Sequence, residues 1–134
     1  MTYYEIVEIK EDGKVQFPAD SAHEIGVTEG AYFLLEISPE VKEARLEHIA
    51  LSGKKLVEIE FILENTPGVL SEISSKLAQH NVNILFNESE DVNPEEAVLV
   101  TVIDVSKMDT ALKELTEELE KQDTIIEISA EMIG

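Results

Sequence analysis

Residues 65–70, Asn-Thr-Pro-Gly-Val-Leu, combine residue types and order in the way a binding loop needs. Asn-Thr-Pro-Gly is a turn signal that ends on the residue most able to let another backbone approach closely. Thr66 is pushed toward extended geometry by the proline after it. A helical pattern begins directly afterwards, so the free N–H groups and positive dipole end of a helix would sit beside Gly68. That arrangement favours a small carboxylate. Asn65 adds a side chain that both donates and accepts hydrogen bonds, which suits an α-amino group. Asn83 opens the strand after the helix and supplies a second such amide. The same residues would also serve as a plain tight connection from strand to helix.

Other chemistry-bearing residues form no constellation. Glu88, Glu90, Asp91, Glu95 and Glu96 crowd one acidic run, but the run lacks the loop glycine and ligand spacing of a calcium site, so an exposed, solvated hairpin is expected. His23, His48 and His80 are scattered at separations that define no metal-ligand pair. His80 falls at a helix C-terminus, where positive charge is favourable. Ser71, Ser74 and Ser75 have neither a His–Asp arrangement nor a Gly-x-Ser-x-Gly turn beside them. Glu58 and Glu60 alternate on one strand face as a solvent or interface rim. No catalytic residue, metal site or cofactor is expected, and the protein is not read as an enzyme.

The elements that would hold the loop follow from periodicity. Val57, Ile59, Phe61 and Leu63 alternate with Glu58 and Glu60 in a strand over 56–63. Leu70, Ile73 and Leu77 make one apolar stripe on the helix after Gly68. Asn81 falls where a left-handed residue ends a helix. Val82, Ile84 and Phe86 then alternate with Asn83, Leu85 and Asn87 in a second strand. Residues 87–96 are expected as a polar acidic loop. AVLVTVID (97–104) is a nearly unbroken apolar strand of the kind found at a sheet centre. Residues 107–121 form a helix with Met108, Ala111, Leu112, Leu115 and Leu119 on one stripe, and Asp109–Lys113 and Glu117–Lys121 paired outside it. The strand over 125–133 turns Ile126, Ile128, Ala130 and Met132 to one face. The βαββαβ order predicts a four-stranded antiparallel sheet with both helices on one side. The other sheet face would carry Leu56, Ile62, Leu85, Ile125 and Ile133 among Glu58, Glu60 and Glu127.

The first third of the chain has a different grammar. YYEIVEI (3–9) alternates as a strand, Asp12-Gly13 signals a hairpin, and Val15 and Phe17 carry the return. Pro18 opens a short helix through about Ile25, stopped by Gly26. After the Glu29-Gly30 turn, AYFLLEI (31–37) is a strand. Segment 40–51 admits a helix capped by Ser38 with Pro39 at its first position, or a loop followed by a strand in ARLEHIAL; the strand is favoured. Ser52-Gly53-Lys54-Lys55 is too short to be a free tether. Two domains are therefore expected, 1–52 and 53–134.

Composition limits the function classes. Of 134 residues 43% are apolar but only 5% aromatic, so the core is aliphatic. Cysteine is absent, which removes disulfides and thiolate metal sites. No stretch approaches the ~20 apolar residues of a membrane span, and no secretory signal pattern opens the chain, so a soluble cytoplasmic protein is expected. The net charge is −19. Residues 1–50 set only Lys10, Lys14, Lys42 and Arg45 against eleven acidic side chains. Neither part offers the basic field that phosphate backbones demand, so nucleic acid is not an expected partner. The charge serves solubility through self-repulsion.

Asn65, Pro67, Gly68, Val69, Leu70, Asn83 and Ile84 together resemble the ACT domain, a small module that binds amino acids in many metabolic proteins. The resemblance covers roughly residues 54–133 and includes the spacing from Pro-Gly to Asn-Ile. Asn65 departs from it, since many relatives carry Asp there, and so does Asn81, where Gly is usual. The resemblance implies an α+β, ferredoxin-like βαββαβ sandwich that binds a small amino acid at Asn65, Thr66, Pro67, Gly68, Val69 and Leu70. Asn83 and Ile84 would complete the site, with Asn83 reaching in from a neighbouring subunit, and sheets or edges would pair between subunits.

Val15, Pro18, Ile25, Gly26, Val27, Gly30 and Phe33 resemble the swapped-hairpin domain of the AbrB/MazE kind over about residues 3–51. That resemblance implies a small, mostly β lobe intertwined with a second copy. Relatives that bind DNA carry Arg or Lys where this chain has Glu11, Asp12, Asp20 and Glu24. The expectation is a homodimeric, non-enzymatic regulator that senses a small amino acid. Two alternatives stand beside it, a DNA-binding transcriptional regulator and a regulatory subunit of an amino-acid biosynthetic enzyme.

Overall fold

A computed structural model describes residues 1–133 and divides the chain into two units, Met1–Gly53 and Lys54–Gly134. In the first unit, Pro18 stands at the N-cap of helix α1, Ala19–Ile25. The helix stops at Gly26, whose φ of 75° is the left-handed conformation that glycine adopts without a Cβ penalty. Strand β1, Tyr32–Ser38, pairs antiparallel with strand β2, Glu43–Ala50, from Tyr32↔Ala50 to Ser38↔Glu43. Pro39–Val41 makes a single 3-10 turn between them, so segment 40–51 is a strand from Glu43 onward.

The strands expected at 3–9 and around Val15–Phe17 do not form within this chain. Their turn does: Asp12 and Gly13 have φ of 57° and 72°, and Lys10 N–H donates to Lys14 C=O at 2.7 Å. Tyr4, Ile6, Ile9 and Val15 are all exposed, so no buried face sets a register for the two arms. The first arm is instead tied to α1 by side chains. Ser21 Oγ donates to Glu5 at 2.6 Å and Tyr3 Oη to Glu24 at 3.1 Å.

The second unit follows the expected order. Strand β3 (Leu56–Glu64) leads to helix α2 (Val69–Gln79) and strand β4 (Asn83–Asp91). Strand β5 (Glu96–Asp104), helix α3 (Leu112–Glu120) and strand β6 (Ile125–Ile133) follow. The sheet is antiparallel in the order β4-β5-β3-β6, which places β5 at the centre as its apolar run predicts. Val57, Ile59, Phe61 and Leu63 of β3, with Leu99 and Ile103 of β5, pack under Ile73, Leu77, Leu115 and Leu119 of the helices. Asn81 ends the α2 turn with a φ of 63°, as its position predicts.

Four expectations are corrected here. Residues 87–91 are not loop but the second half of β4, because Glu88, Ser89, Glu90 and Asp91 pair with Val100, Leu99, Val98 and Ala97. Helix α3 begins at Leu112 rather than near 107, so Asp109 lies outside it and makes no i,i+4 pair with Lys113. The β4–β5 register slips between Ile84 and Phe86, leaving Leu85 as the extra residue of a bulge. Ile84 therefore packs on the core while Phe86, opposite Val102, turns to the other face. A second slip on β6 makes Ile126 the extra residue, so Ile125 enters the core and Ile126 stays 53% exposed.

Candidate functional site

The connection from β3 to α2 is the place where the backbone opens. Gly68 precedes the helix with a φ of 88°, a conformation that any other residue would hold under strain. Asn65 N–H donates to Glu95 C=O at 2.8 Å, which ties the loop to the β4–β5 turn. Thr66 N–H donates to Glu64 C=O at 2.9 Å. The first backbone bond of α2 runs from Glu72 N–H to Gly68 C=O at 3.0 Å, and no side chain caps this end of the helix. The N–H groups of Val69, Leu70 and Ser71 thus remain available at the positive end of the helix.

A cleft of about 380 Å³ lies over this end. The predicted residues Asn65, Thr66, Pro67, Gly68, Val69 and Leu70 all line it. Leu63, Val69 and Ala97 are buried and give it an apolar floor. Leu70 was expected in the core stripe, but it is 50% exposed and stands at the cleft; Val69 takes the core position with Ile73 and Leu77. Reasoning from the sequence missed Glu64, Ser71, Ser89 and Asp91, which complete the rim. Asp91 lies in the acidic run read as a loop, and only the β4 ladder carries its carboxylate to the helix end.

Asn83 and Ile84 are not part of this cleft. Asn83 sits at the opposite end of β4, opposite Asp104, in a separate depression with Lys54, Asn81 and Lys107. Ile84 packs against the core. The eight steps from Asn83 to Asp91 correspond to about 26 Å of strand, so one chain cannot bring both to the same ligand.

A few titratable groups away from this cleft are engaged with one another. His80 Nε2 lies 2.6 Å from Glu118 Oε2, its Nδ1 is 3.5 Å from Asp109, and Lys76 Nζ donates to Glu118 at 3.3 Å. The hydrogen bond from His80, then that from Lys76, holds the Glu118 carboxyl below its ordinary range. This group of side chains clasps α2 to α3. Burial pushes the Asp104 carboxyl up, but the Ser106 hydroxyl and N–H together with the charges of Lys54 and Lys107 pull it down, and the net displacement is downward. In the first unit Lys10 is paired with Glu8 at 3.5 Å and Arg45 with Glu47 at 4.0 Å. Among the described residues no group of acidic, His or Cys side chains is placed to hold a metal ion, and no helix is long and apolar enough to cross a membrane.

The second unit is thus an α+β sandwich of βαββαβ order with an uncapped helix end behind a Pro-Gly turn. Residues 57–120 match the family model described as ACT domain, and that segment is an ACT domain. The chain is similar to proteins described as UPF0735 ACT domain-containing protein. The one from Caldicellulosiruptor saccharolyticus is 26% identical over 128 residues, covering 95% of this chain and 79% of that protein. The one from Clostridium botulinum is 27% identical over 135 residues, covering 94% and 85%. Among solved structures, the C-terminal domain of the MgtC protein from Mycobacterium tuberculosis aligns with a TM-score of 0.50 at 12% identity. It covers 60% of this chain and 89% of that one, a likeness of fold alone.

Proposed function

We propose that this protein is a non-enzymatic regulator whose ACT domain senses a small amino acid, with each site completed by a second copy of the chain. One observation carries the reading: the uncapped N-terminus of α2 faces Asp91 across a single cleft. A zwitterion has the matching charges. Its carboxylate takes the N–H groups of Val69, Leu70 and Ser71. Its ammonium takes Asp91 together with the side-chain oxygen of Asn65. Asp91 thereby supplies the negative charge that Asn65 lacks. The ligand side chain rests on the apolar floor of Leu63, Val69 and Ala97, and the cleft is within the size range of small-molecule sites.

The far position of Asn83 supports a role for a second copy. β4 is an edge strand. Two such edges paired antiparallel about a two-fold axis near Asn87 set the partner's Asn83 beside Asp91 of this copy, and the reverse. Ligand held between the subunits then changes their relative angle, which is the regulatory output. The first unit adds to dimerisation by exchange of its unpaired arms, residues 3–17.

Thermal denaturation in the presence of each of the twenty amino acids tests the reading. A ligand at 100-fold over its Kd adds ~2.7 kcal/mol of stability. Asp91→Asn is expected to remove that shift while leaving the unliganded melting temperature within a degree or two of the parent. No shift with any amino acid would overturn the sensor reading.

A further inference from the structure

Basic residues of the second unit are kept out of its sheet strands. Strands β3 to β6 contain no Lys, Arg or His, and every lysine of residues 54–134 lies outside them. On the sheet face turned away from the helices, Val98 and Val100 of β5 form a half-buried apolar ridge. Cross-strand pairing sets Glu88 on one side of Val100 and Glu60 on the other. Glu90 lies beside Val98, and Glu58 stands one step further along β3. All four glutamates are exposed. Glu58 also faces Glu131 directly across the β3–β6 ladder, an arrangement of like charges that works against the sheet. A face that serves only to be solvated mixes both signs and avoids such opposition.

The ridge and its borders specify the partner. A nucleic acid or an anionic lipid surface would be repelled. A second copy stacked through the same face would set carboxylates against carboxylates. The two glutamate columns stand two strand spacings apart, about 10 Å, which is the width of an α-helix. We propose that this face docks a cationic amphipathic helix of another protein, its aliphatic stripe on Val98 and Val100 and its flanking Lys or Arg side chains on the glutamate columns. The docking face is distinct from the amino-acid cleft, so its test does not depend on that site.

The probe is a synthetic amphipathic helix of about five turns, a leucine stripe flanked by lysines, titrated into isotope-labelled full-length protein and followed by amide chemical shifts. The expected result is saturable perturbation centred on Val98, Val100, Glu60 and Glu88, weakening as salt rises. Glu60→Gln with Glu88→Gln is expected to weaken binding at least tenfold. Glu117→Gln with Glu120→Gln, on the exposed side of α3, should change it less than twofold. A peptide of the same composition with its leucines scattered around the helix should bind at least tenfold more weakly. Equal binding of the scattered peptide, equal effects of the two double variants, or perturbations spread over all acidic residues would each overturn the proposal. So would spermidine producing the same shifts at the same ridge with comparable affinity.

Discussion

Gly68 shows how one residue serves both fold and site. Its φ of 88° turns the chain from β3 into α2, and the space where a Cβ would stand is empty to 4 Å. Gly68→Ala is therefore expected to lower stability by roughly 1–2 kcal/mol through backbone strain alone. Gly68→Asn should lose less, because asparagine tolerates the left-handed region. Urea unfolding checks both: the midpoint should fall with an unchanged slope. The glycine, the proline before it and the amide at Asn65 were legible in the sequence because local chemistry dictates them. Asp91 was not, because nothing in its neighbours along the chain says which loop it will face.

At the scale of elements, periodicity found the helices and strands of the second unit, since buried faces impose periods of 3.6 and 2. It erred where an element departs from regularity. The bulge at Leu85 turns Phe86 off the core face that strict alternation assigns it, and the bulge at Ile126 brings the preceding Ile125 onto that face. The N-terminal start of α3 was overextended because Met108 packs on the core from a non-helical segment. The clasp between α2 and α3 gives this scale its test. The Glu118 carboxyl has its folded-state pKa lowered by His80 and Lys76, so its stabilising contribution is present above the ordinary carboxylate range and lost as pH falls through the folded value. Thermal melts of the parent and Glu118→Gln from about pH 7 to about pH 3 should therefore differ at neutral pH and converge on acidification. A constant gap across that range would show that the clasp is not what the carboxylate contributes.

For the whole molecule, the question is what completes it. The arms flanking Asp12-Gly13 carry exposed apolar side chains, β4 leaves one edge unpaired, and Asn83 is remote from the cleft it was expected to serve. The two-fold partner proposed above would answer all three. Sedimentation at micromolar concentration is expected to give twice the chain mass of 14.9 kDa. Added salt should favour the dimer, because each copy carries −19 and screening weakens their repulsion. A monomer at every salt concentration would remove the composite site, though the zwitterion-sized cleft of one chain would remain open to the amino-acid screen.

The order of elements in residues 56–133, the glycine turn, the left-handed Asn81 and the aliphatic core were determined by the sequence itself, because each follows from sterics or periodicity within a few residues. Registers, bulges and the meeting of Asp91 with the α2 N-terminus were decided only in three dimensions. They depend on which strands lie side by side, and hydrogen-bond ladders between distant segments settle that by burying one face and leaving the other to water.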